Sequence, residues 1–521
     1  MLIRRREFVA SALTGLVGSS FPASALVPGS GASVDPREFG ARFDGRSDDT
    51  DAWQSAIDFA AARGLTVAPR RAGTSLLVCK PVPRATYGNS PETRVYQAVD
   101  INRSGLRIDF GGARLRIRGH GQTKCVNYAF GTAKNLAPGT VSGLRFANGI
   151  LDFDPSGDRS INKRAFHLVG VDDVEISDLL LTSTGPRAGA TITLQNCRRV
   201  KMRNIQGVNI TQGMNLSYVD DVELDRLAFD NFSEAIDCDR RVRRMIARNL
   251  TFANGGPNNQ CIDLNSVEDV LISGIDAKDV GNIALVNYKI TTPPTYRDYV
   301  SNAAVTRYSP SRNVTIEHVR GQRICYPAST TIPLRLGNDQ RRSDESSYPS
   351  ENITLRHIAL SQCPSFIPIE LVRNAVLEDI VFDGALNPNP DMGCIDIRGD
   401  LFGTSATLRN VRVAMAHRGT RGIRSNGPAS LRLEDVTVSG SSTPGAIFFE
   451  FTALDQHQAV IRLDRVAAVA TSGAGAVAFR LGDGGTGRKY SVTMGPDVRA
   501  RGAFARRLVL NGWAARRVKT R

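Results

Sequence analysis

Carboxylate side chains recur at alternating positions in two neighbouring stretches of this 521-residue chain. The first stretch reads IDCD over residues 236–239, and the second reads IDLN over residues 262–265. A period of two is typical of a β-strand with one buried face and one solvated face. The apolar residues then lie inside, and the solvated face carries Asp237, Asp239, Asp263 and Asn265. Crowded carboxylates repel one another, so this cluster indicates chemistry rather than core packing.

Such a cluster has two chemical uses. Carboxylate oxygens are preferred ligands of Ca²⁺, so Asp237, Asp239 and Asp263 are predicted to bind a calcium ion. Paired carboxylates also hydrolyse glycosidic bonds. If the two stretches stack as neighbouring parallel strands about 4.8 Å apart, Asp237 and Asp263 match the separation of roughly 5 Å of retaining glycosidases. Asp237 and Asp239 lie nearer the inverting separation of roughly 6.5–9.5 Å.

The same predicted face continues beyond the carboxylates with amides and cations. Lys289 and Arg335 follow Asp263 along it, and a lysine near other cations loses its proton readily enough to act as a base. We therefore assign proton abstraction to Lys289 or Arg335, and catalytic roles also to Asp237 and Asp263. The predicted substrate contacts on this face are Asn215, Asn265, Asn287, Glu370 and Arg398.

A polar, proline-bearing insertion over residues 291–312 interrupts the pattern after this stretch. Insertions of this kind often form one wall of a binding groove. Tyr296 and Tyr308 are predicted to stack on sugar rings, and Arg297 is predicted to contact a substrate carboxylate. The alternative is a loop whose tyrosines pack locally.

The elements that position these residues repeat along the chain. Segments such as VDDVEISDLLL, VDDVELDRLAF and SENITLRHIAL are variants of one strand-and-turn unit that recurs at a solenoid-scale period. No regular leucine/asparagine ladder and no aromatic propeller signature accompanies the period. The pattern predicts an all-β solenoid of stacked parallel coils over residues 37–498. An apolar face containing Trp53, Ile57 and Ala60, which ends at Gly64, predicts a helix that caps the N-terminal end.

The two ends of the chain differ in composition from the repeat region. Residues 1–25 combine a basic start, a modest apolar stretch and a small-residue cleavage site, as in a secretory leader. Arg5 and Arg6 make this segment resemble the twin-arginine export signal of bacteria. A periplasmic or secreted protein is therefore expected, with residues 26–36 as a linker. The arginine-rich segment 499–521 is predicted to be a basic tail or a last strand.

Composition narrows the choice of partner. Lysine and arginine outnumber aspartate and glutamate by 66 to 51, and the formal charge is +15. Such a chain attracts polyanions. No helix-turn-helix, zinc-finger or aromatic RNA-binding signature is present, so nucleic acid is not an expected partner. No apolar run after the leader approaches the roughly 20 residues of a transmembrane helix. The oligomeric state is open.

Several polar residues are predicted to be structural. Aspartates in VDDV and VEDV turns stabilise backbone amides, which assigns Asp172, Asp173, Asp220, Asp221 and Asp269 to turns. His318 and His357 occupy matching repeat positions and are predicted to stack. The eight cysteines show no CxxC pair, which argues against a zinc site and favours buried thiols. A disulfide after export is the alternative.

The opening of the repeat region resembles a known family. The segments FGA at 39–41, DG at 44–45, DDT at 48–50 and AI at 56–57 are similar to the start of the pectate-lyase-like superfamily, in its rhamnogalacturonase/epimerase-like branch. The resemblance covers residues 34–80, with Pro69-Arg70-Arg71-Ala72-Gly73 where a shorter proline–glycine turn is usual. It implies a single-stranded right-handed parallel β-helix with a short N-terminal capping helix. It also implies calcium-dependent cleavage of anionic polysaccharides.

These observations lead to an exported polysaccharide-active enzyme as the principal hypothesis. A polysaccharide lyase that cleaves a uronate-containing glycan by β-elimination is preferred. A glycoside hydrolase on the same scaffold is the second hypothesis, although the sequence segments of polygalacturonases are absent and Tyr288-Lys289-Ile290 matches only one of them in part. A non-catalytic glycan-binding β-helix is the third. A uronate C5-epimerase would share the first proton abstraction.

Overall fold

The repeated apolar positions of the sequence stack on one another in the structure. In neighbouring strands Val200 pairs with Val222, which pairs in turn with Met245. The column continues to Val270, Val314 and Ile353. All of these side chains are buried. Each coil therefore places the apolar residues of its strands above those of the coil before, and the core is one continuous column.

The structure is a computed structural model, and it describes most of the chain with internal gaps. The described residues are 32–87, 90–119, 125–132, 139–154, 162–183, 191–287, 310–326, 332–337, 349–385, 392–398, 404–415, 420–427, 430–453, 459–483, 490–510 and 518–520.

The helical elements are a short 3₁₀ turn, Pro36–Phe39, and helix α1, Thr50–Arg63, both near the start of the described residues. The strands up to the candidate site are β1 Ser33–Val34, β2 Asp44–Asp48, β3 Thr66–Val67, β4 Thr74–Val78, β5 Lys80–Tyr87, β6 Ser90–Asp100, β7 Arg107–Asp109, β8 Arg114–Arg118, β9 Cys125–Gly131, β10 Val141–Asp154, β11 Asn162–Val169, β12 Val171–Ser183, β13 Thr191–Gln195, β14 Arg198–Ser217, β15 Asp220–Arg240, β16 Arg243–Asn265 and β17 Glu268–Asn287.

The remaining strands continue the same winding to the end of the chain. They are β18 Arg312–Gln322, β19 Leu334–Leu336, β20 Ser350–Ser361, β21 Ile367–Glu370, β22 Val372–Ala385, β23 Gly393–Arg398, β24 Ser405–Met415, β25 Arg421–Asn426, β26 Ser430–Ser441, β27 Ile447–Ala453, β28 Ala459–Ser472, β29 Val477–Asp483, β30 Tyr490–Met494, β31 Arg499–Arg501, β32 Arg506–Leu510 and β33 Val518–Thr520.

The strands pair in parallel, each with the strand one coil away, except for the antiparallel pair β5–β6. All of the described strands join one sheet that winds around the core. The architecture is a right-handed parallel β-helix, which confirms the predicted fold class. The C-terminal strands β31 and β32 pair with β28 and β29, so residues 499–510 extend the solenoid.

Helix α1 covers the N-terminal end of the core, as predicted. Trp53, Ala56, Ile57 and Ala60 are buried against it, and the left-handed Gly64 ends the helix. Asp49 precedes the helix but does not cap it with its side chain. Its carboxylate accepts hydrogen bonds from the backbone N–H groups of Arg42 and Phe43 and from the Ser75 hydroxyl. Asp49 therefore ties the entering loop to strand β4.

Columns of single left-handed residues turn the chain at the corners of each coil. One column contains Asp173, Arg199, Asp221, Arg244 and Asp269, with φ between 53° and 58°. Neighbours in it pair across coils, since Arg199 contacts Asp173 at 2.6 Å and Arg244 contacts Asp221 at 2.6 Å. The predicted turn positions of Asp173, Asp221 and Asp269 are confirmed by their left-handed backbone, and the ion pairs of Asp173 and Asp221 connect successive corners. Asp172 and Asp220 directly precede two of these residues and pair with Arg198 and Arg243.

The buried cysteines and the histidine pair also belong to the scaffold. The seven cysteines whose side chains are described are buried and not disulfide-bonded. Burial raises the pKa of the Cys197 and Cys394 thiols to about 12, so both are neutral and unreactive at ordinary pH. His318 and His357 stack with ring centroids 4.8 Å apart, as predicted. No helix in the described part of the chain has the length and apolar character needed to cross a lipid bilayer.

Candidate active site

The strand register brings the predicted polar residues into one column. Asn215 of β14 pairs with Asp237 of β15, and Asp237 pairs with Asp263 of β16. Neighbouring strands of a sheet are about 4.8 Å apart, so the two aspartates occupy adjacent rungs on one face of the solenoid. The short alternating runs of the sequence are sufficient to predict this part of the arrangement.

A third carboxylate, Glu234, completes the cluster. Glu234, Asp237 and Asp263 each offer a carboxylate oxygen within 4.8 Å of the other two. Sequence reasoning missed Glu234 because strict alternation from Asp237 would turn it to the opposite side. The available signal was a second polar column, in which Gln212, Glu234, Gln260 and Asn282 pair across β14 to β17.

Asp239 is placed differently from the prediction. The register shifts at this point, because Leu216 pairs with Cys238 whereas Ser217 pairs with Arg240. Asp239 is the extra residue, and a β-bulge of this kind re-aims the side chain that it inserts. Asp239 lies outside the three-carboxylate cluster, and its Oδ2 is 3.7 Å from Nε of Arg240. The three carboxylates that could hold a metal ion together are therefore Glu234, Asp237 and Asp263.

Amide side chains orient the carboxylates. Gln212 Nε2 donates to Glu234 Oε2 at 2.8 Å and to Asp237 Oδ2 at 3.2 Å. Asn215 Nδ2 donates to the same Asp237 oxygen at 2.6 Å, and Asn265 Nδ2 donates to Asp263 Oδ2 at 2.8 Å. Asp237 is buried and Asp263 is partly exposed. Two predicted substrate contacts, Asn215 and Asn265, therefore hold the carboxylates in place.

The carboxylate charges also act on a thiol inside the core. Burial first, and then the charges of Asp237 and Asp263, raise the pKa of the Cys238 thiol well above its usual range. Cys238 lies on the inner side of β15 directly after Asp237.

A bulge in β16 flanks the cluster. Between the pairs Asp230–Ala253 and Glu234–Gln260, β16 has three more residues than β15. The bulge includes the left-handed Gly256, and the buried Asn259 accepts a hydrogen bond from the Gly281 N–H. Bulges are frequent beside active sites because they redirect neighbouring side chains. This one ends at the rung of Glu234.

Beyond Asp263 the column continues with an apolar residue and then a cation. Leu285 pairs with Asp263 and with Arg335, so Arg335 lies two rungs from Asp263. That corresponds to about 10 Å between the backbones, which the long guanidinium side chain can partly bridge. Asn287 pairs with Asn265, and its side chain lies outside the described residues. Lys289, Tyr296, Arg297 and Tyr308 also lie outside them.

Glu370 and Arg398, predicted to contact substrate, lie in an ion-paired part of the same face. Arg398 contacts Glu370, and its Nε lies 2.5 Å from Asp396 Oδ2. Burial opposes the charge of Arg398, but Glu370 and Asp396 outweigh it and raise its pKa. Arg398 and the two carboxylates therefore neutralise one another's charge, and their contact with substrate stays a prediction.

This network continues toward the C-terminal end. Glu450 Oε2 lies 2.8 Å from Arg421 Nε, and Glu450 Oε1 lies 3.3 Å from Arg480 Nη1. Arg424 lies between Asp396 and Glu450 in the register and approaches both within 4 Å. Carboxylates and guanidinium groups thus alternate along this part of the face.

The donor set of the cluster fits a calcium ion. Ca²⁺ takes oxygen ligands at about 2.3–2.6 Å, so ligands on opposite sides of the ion are about 5 Å apart. The oxygens of Glu234, Asp237 and Asp263 lie within 4.8 Å of one another, and no nitrogen or sulfur ligand belongs to the group. The three residues could equally supply a general acid and a nucleophile.

Three solved structures resemble this chain weakly. The tailspike protein of E. coli bacteriophage HK620 in complex with a pentasaccharide is 13% identical, with a TM-score of 0.45, over 90% of this chain and 80% of that one. DFA-IIIase from Arthrobacter chlorophenolicus A6 in complex with GF2 is 12% identical, with a TM-score of 0.41, over 82% and 95%. The A-module of the Azotobacter vinelandii mannuronan C-5 epimerase AlgE6 is 14% identical, with a TM-score of 0.27, over 90% and 99%.

No protein-family model and no curated protein matches the chain. The solved structures named above include proteins that bind or act on glycans. The roles of the residues in this chain depend on its own geometry.

Proposed function

We propose that the chain is a polysaccharide lyase that cleaves a uronate-containing glycan by β-elimination. The observation that carries the proposal is the cluster of Glu234, Asp237 and Asp263, with oxygens within 4.8 Å of one another on an outward face of the solenoid. The formal charge of +15 suits an anionic substrate. The export that the leader predicts would place the enzyme where polysaccharides occur.

The three carboxylates would hold the calcium ion. When bound there, the ion supplies positive charge to the uronate carboxylate of the substrate and so makes the adjacent C5 proton more acidic. Gln212, Asn215 and Asn265 keep the carboxylate oxygens in position through the hydrogen bonds described above. These amides are positioning residues, because they act through the carboxylates.

Removal of the C5 proton requires a base on the same face. Lys289 follows Asn287 by two residues, and an ammonium group gives up its proton far more readily than a guanidinium. We assign proton abstraction to Lys289. Arg335, two rungs from Asp263, then stabilises the negative charge that develops on the sugar. The C5–H electron pair forms the C4–C5 double bond as the oxygen at C4 leaves.

The test uses purified protein on a panel of polygalacturonate, alginate and hyaluronate. Ultraviolet absorbance detects the unsaturated product, with and without calcium chelation. Asp263→Asn is expected to abolish the signal, whereas Asp269→Asn is expected to retain it. Asp269 is the matched control because it lies in the turn column, where Asn313 Nδ2 donates to it at 2.8 Å. Equal activity of the two variants would contradict the proposal.

Hydrolysis is the second candidate, and one observation favours it. Asp237 and Asp263 lie on adjacent rungs, close to the separation of roughly 5 Å at which retaining glycosidases hold an acid and a nucleophile. A hydrolase would produce new reducing ends without the absorbance of an unsaturated sugar, and would retain the anomeric configuration. Binding without either product would favour a glycan-binding β-helix.

A further inference from the structure

A concave surface lies on another face of the coils that carry the candidate site. This groove has a volume of about 800 Å³ and spans strands β14 to β20. Its lining includes Gln206, Thr251, Asp276 and Arg320, none of which belongs to the carboxylate face. The strand β16 contributes both Thr251 to the groove and Asp263 to the candidate site. The two surfaces are thus built by the same coils.

The sequence explains why this part of the face is hollow. The outward positions of successive coils pair as Gln206, Ala228, Thr251, Asp276, Arg320 and Ala359. Ala228 and Ala359 have the smallest side chains in this column, and Gly274 in the adjacent turn column has none. Buried Leu250 and Ile275 lie beneath and keep the backbone in place. Small side chains over a rigid sheet leave a preformed groove.

The groove contains polar groups that the scaffold does not use. Arg320 and Asp276 are exposed register partners, and within the described residues neither side chain makes a hydrogen bond or an ion pair. By contrast, Arg199, Arg243 and Arg244 each pair with a turn carboxylate. A cation and an anion at the centre of a groove are therefore available to a ligand.

We propose that this groove binds a stretch of the same anionic polysaccharide without cleaving it. The guanidinium of Arg320 can bind a uronate carboxylate with two parallel hydrogen bonds. Asp276, Gln206 and Thr251 offer acceptors and donors to sugar hydroxyls, and the stacked rings of His318 and His357 form one end of the lining. A groove rather than a closed pocket suits a polymer. The proposal relies on the proposed function for the identity of the polymer.

The test separates binding from cleavage by using full-length Asp263→Asn protein. Affinity gel electrophoresis measures retardation by polygalacturonate, alginate, hyaluronate and neutral dextran. Adding Arg320→Glu is expected to weaken binding of the retarding anionic polymer about tenfold, as loss of one charged contact does. Arg412→Glu is the matched control, since Arg412 is exposed on the same outward column outside the groove. A second variant, Ala359→Trp, fills the groove without touching the core.

In otherwise unmodified protein, Arg320→Glu is expected to raise KM on the long polymer and to leave cleavage of short oligosaccharides unchanged. Equal retardation of the Arg320→Glu and Arg412→Glu proteins would overturn the proposal that the groove binds the polymer. So would the absence of retardation by any anionic polymer. Retardation that depends on Arg320, together with an unmodified protein that cleaves none of the polymers, would support the groove and contradict the proposed function instead.

Discussion

Two parts of one face of the solenoid use charge in opposite ways. Around β14 to β16, the carboxylates of Glu234, Asp237 and Asp263 crowd together. Around β21 to β29, each carboxylate has arginines beside it, as Glu450 has Arg421 and Arg480. Both parts consist of parallel strands stacked coil on coil. Crowding of like charges costs stability, whereas alternation of opposite charges recovers it.

The difference indicates where the fold retains an arrangement of charges that lowers its stability. Buried ion-pair networks are tolerated in a fold because every charge has a partner. A cluster of like charges is retained where a ligand or a reaction requires it. The crowded part is therefore the better candidate for chemistry, although the ion-paired part contains more charged residues.

The largest expected effect concerns Glu234, which the structure adds to the cluster. Glu234→Gln is expected to reduce cleavage about a hundredfold or more, because one of three crowded carboxylates is lost. The melting temperature of this variant should be unchanged or higher, since the repulsion among the three carboxylates is relieved. The measurements are initial rate and thermal unfolding. Glu223→Gln, an exposed residue on the same strand, is the control. Activity equal to that control would remove Glu234 from the site.

The ion-paired part should respond in the opposite sense. Glu450→Gln leaves the arginines around a buried position without their carboxylate, which is expected to lower the free energy of unfolding by about 3 kcal/mol. Activity per folded molecule should be nearly unchanged. Urea unfolding measures the loss. Asp435→Asn, which breaks an exposed pair with Arg465, should cost about 1 kcal/mol or less. Equal losses in the two variants would mean that the buried network contributes no more to stability than an exposed ion pair does.

The two parts can be made alike by one substitution. Leu285 lies next to Asp263 in the register, so Leu285→Arg places a guanidinium beside the crowded carboxylates. Cleavage is expected to fall about tenfold, because an ion pair neutralises Asp263. Leu285→Met is the control for loss of the leucine. Full activity of the arginine variant would show that cleavage does not depend on the negative charge of Asp263.

The smallest effect concerns pH and the turn columns. The hydrogen-bonded guanidinium of Arg243 lowers the pKa of Asp220, with Arg243 Nη2 2.6 Å from Asp220 Oδ2. A lowered pKa in the folded state stabilises the protein above the unfolded value of about 4, and this contribution is lost as pH falls through the folded value. Asp220→Asn is expected to cost about 1 kcal/mol at pH 7 and to flatten the loss below pH 4. Urea unfolding at both pH values measures this, and an unchanged acid slope would contradict it.

Local sequence patterns determined the scaffold. Period-two alternation predicts the strands, repetition of that alternation predicts parallel coils, and the apolar face ending at Gly64 predicts the capping helix α1. Turn aspartates and the His318–His357 stack follow from matching positions in the repeat. The adjacency of Asp237 and Asp263 follows as well, because both stand second in equivalent short runs.

Only the tertiary structure decided which polar residues meet. A one-residue bulge removes Asp239 from the column, and a register shift of three residues directly precedes Glu234, which joins the cluster from a second polar column. Arg398 and Glu370 are 28 residues apart in sequence and pair because one coil separates them. The reason is physical: alternation is set within a strand, whereas contacts between coils depend on the length and bulges of every coil between them.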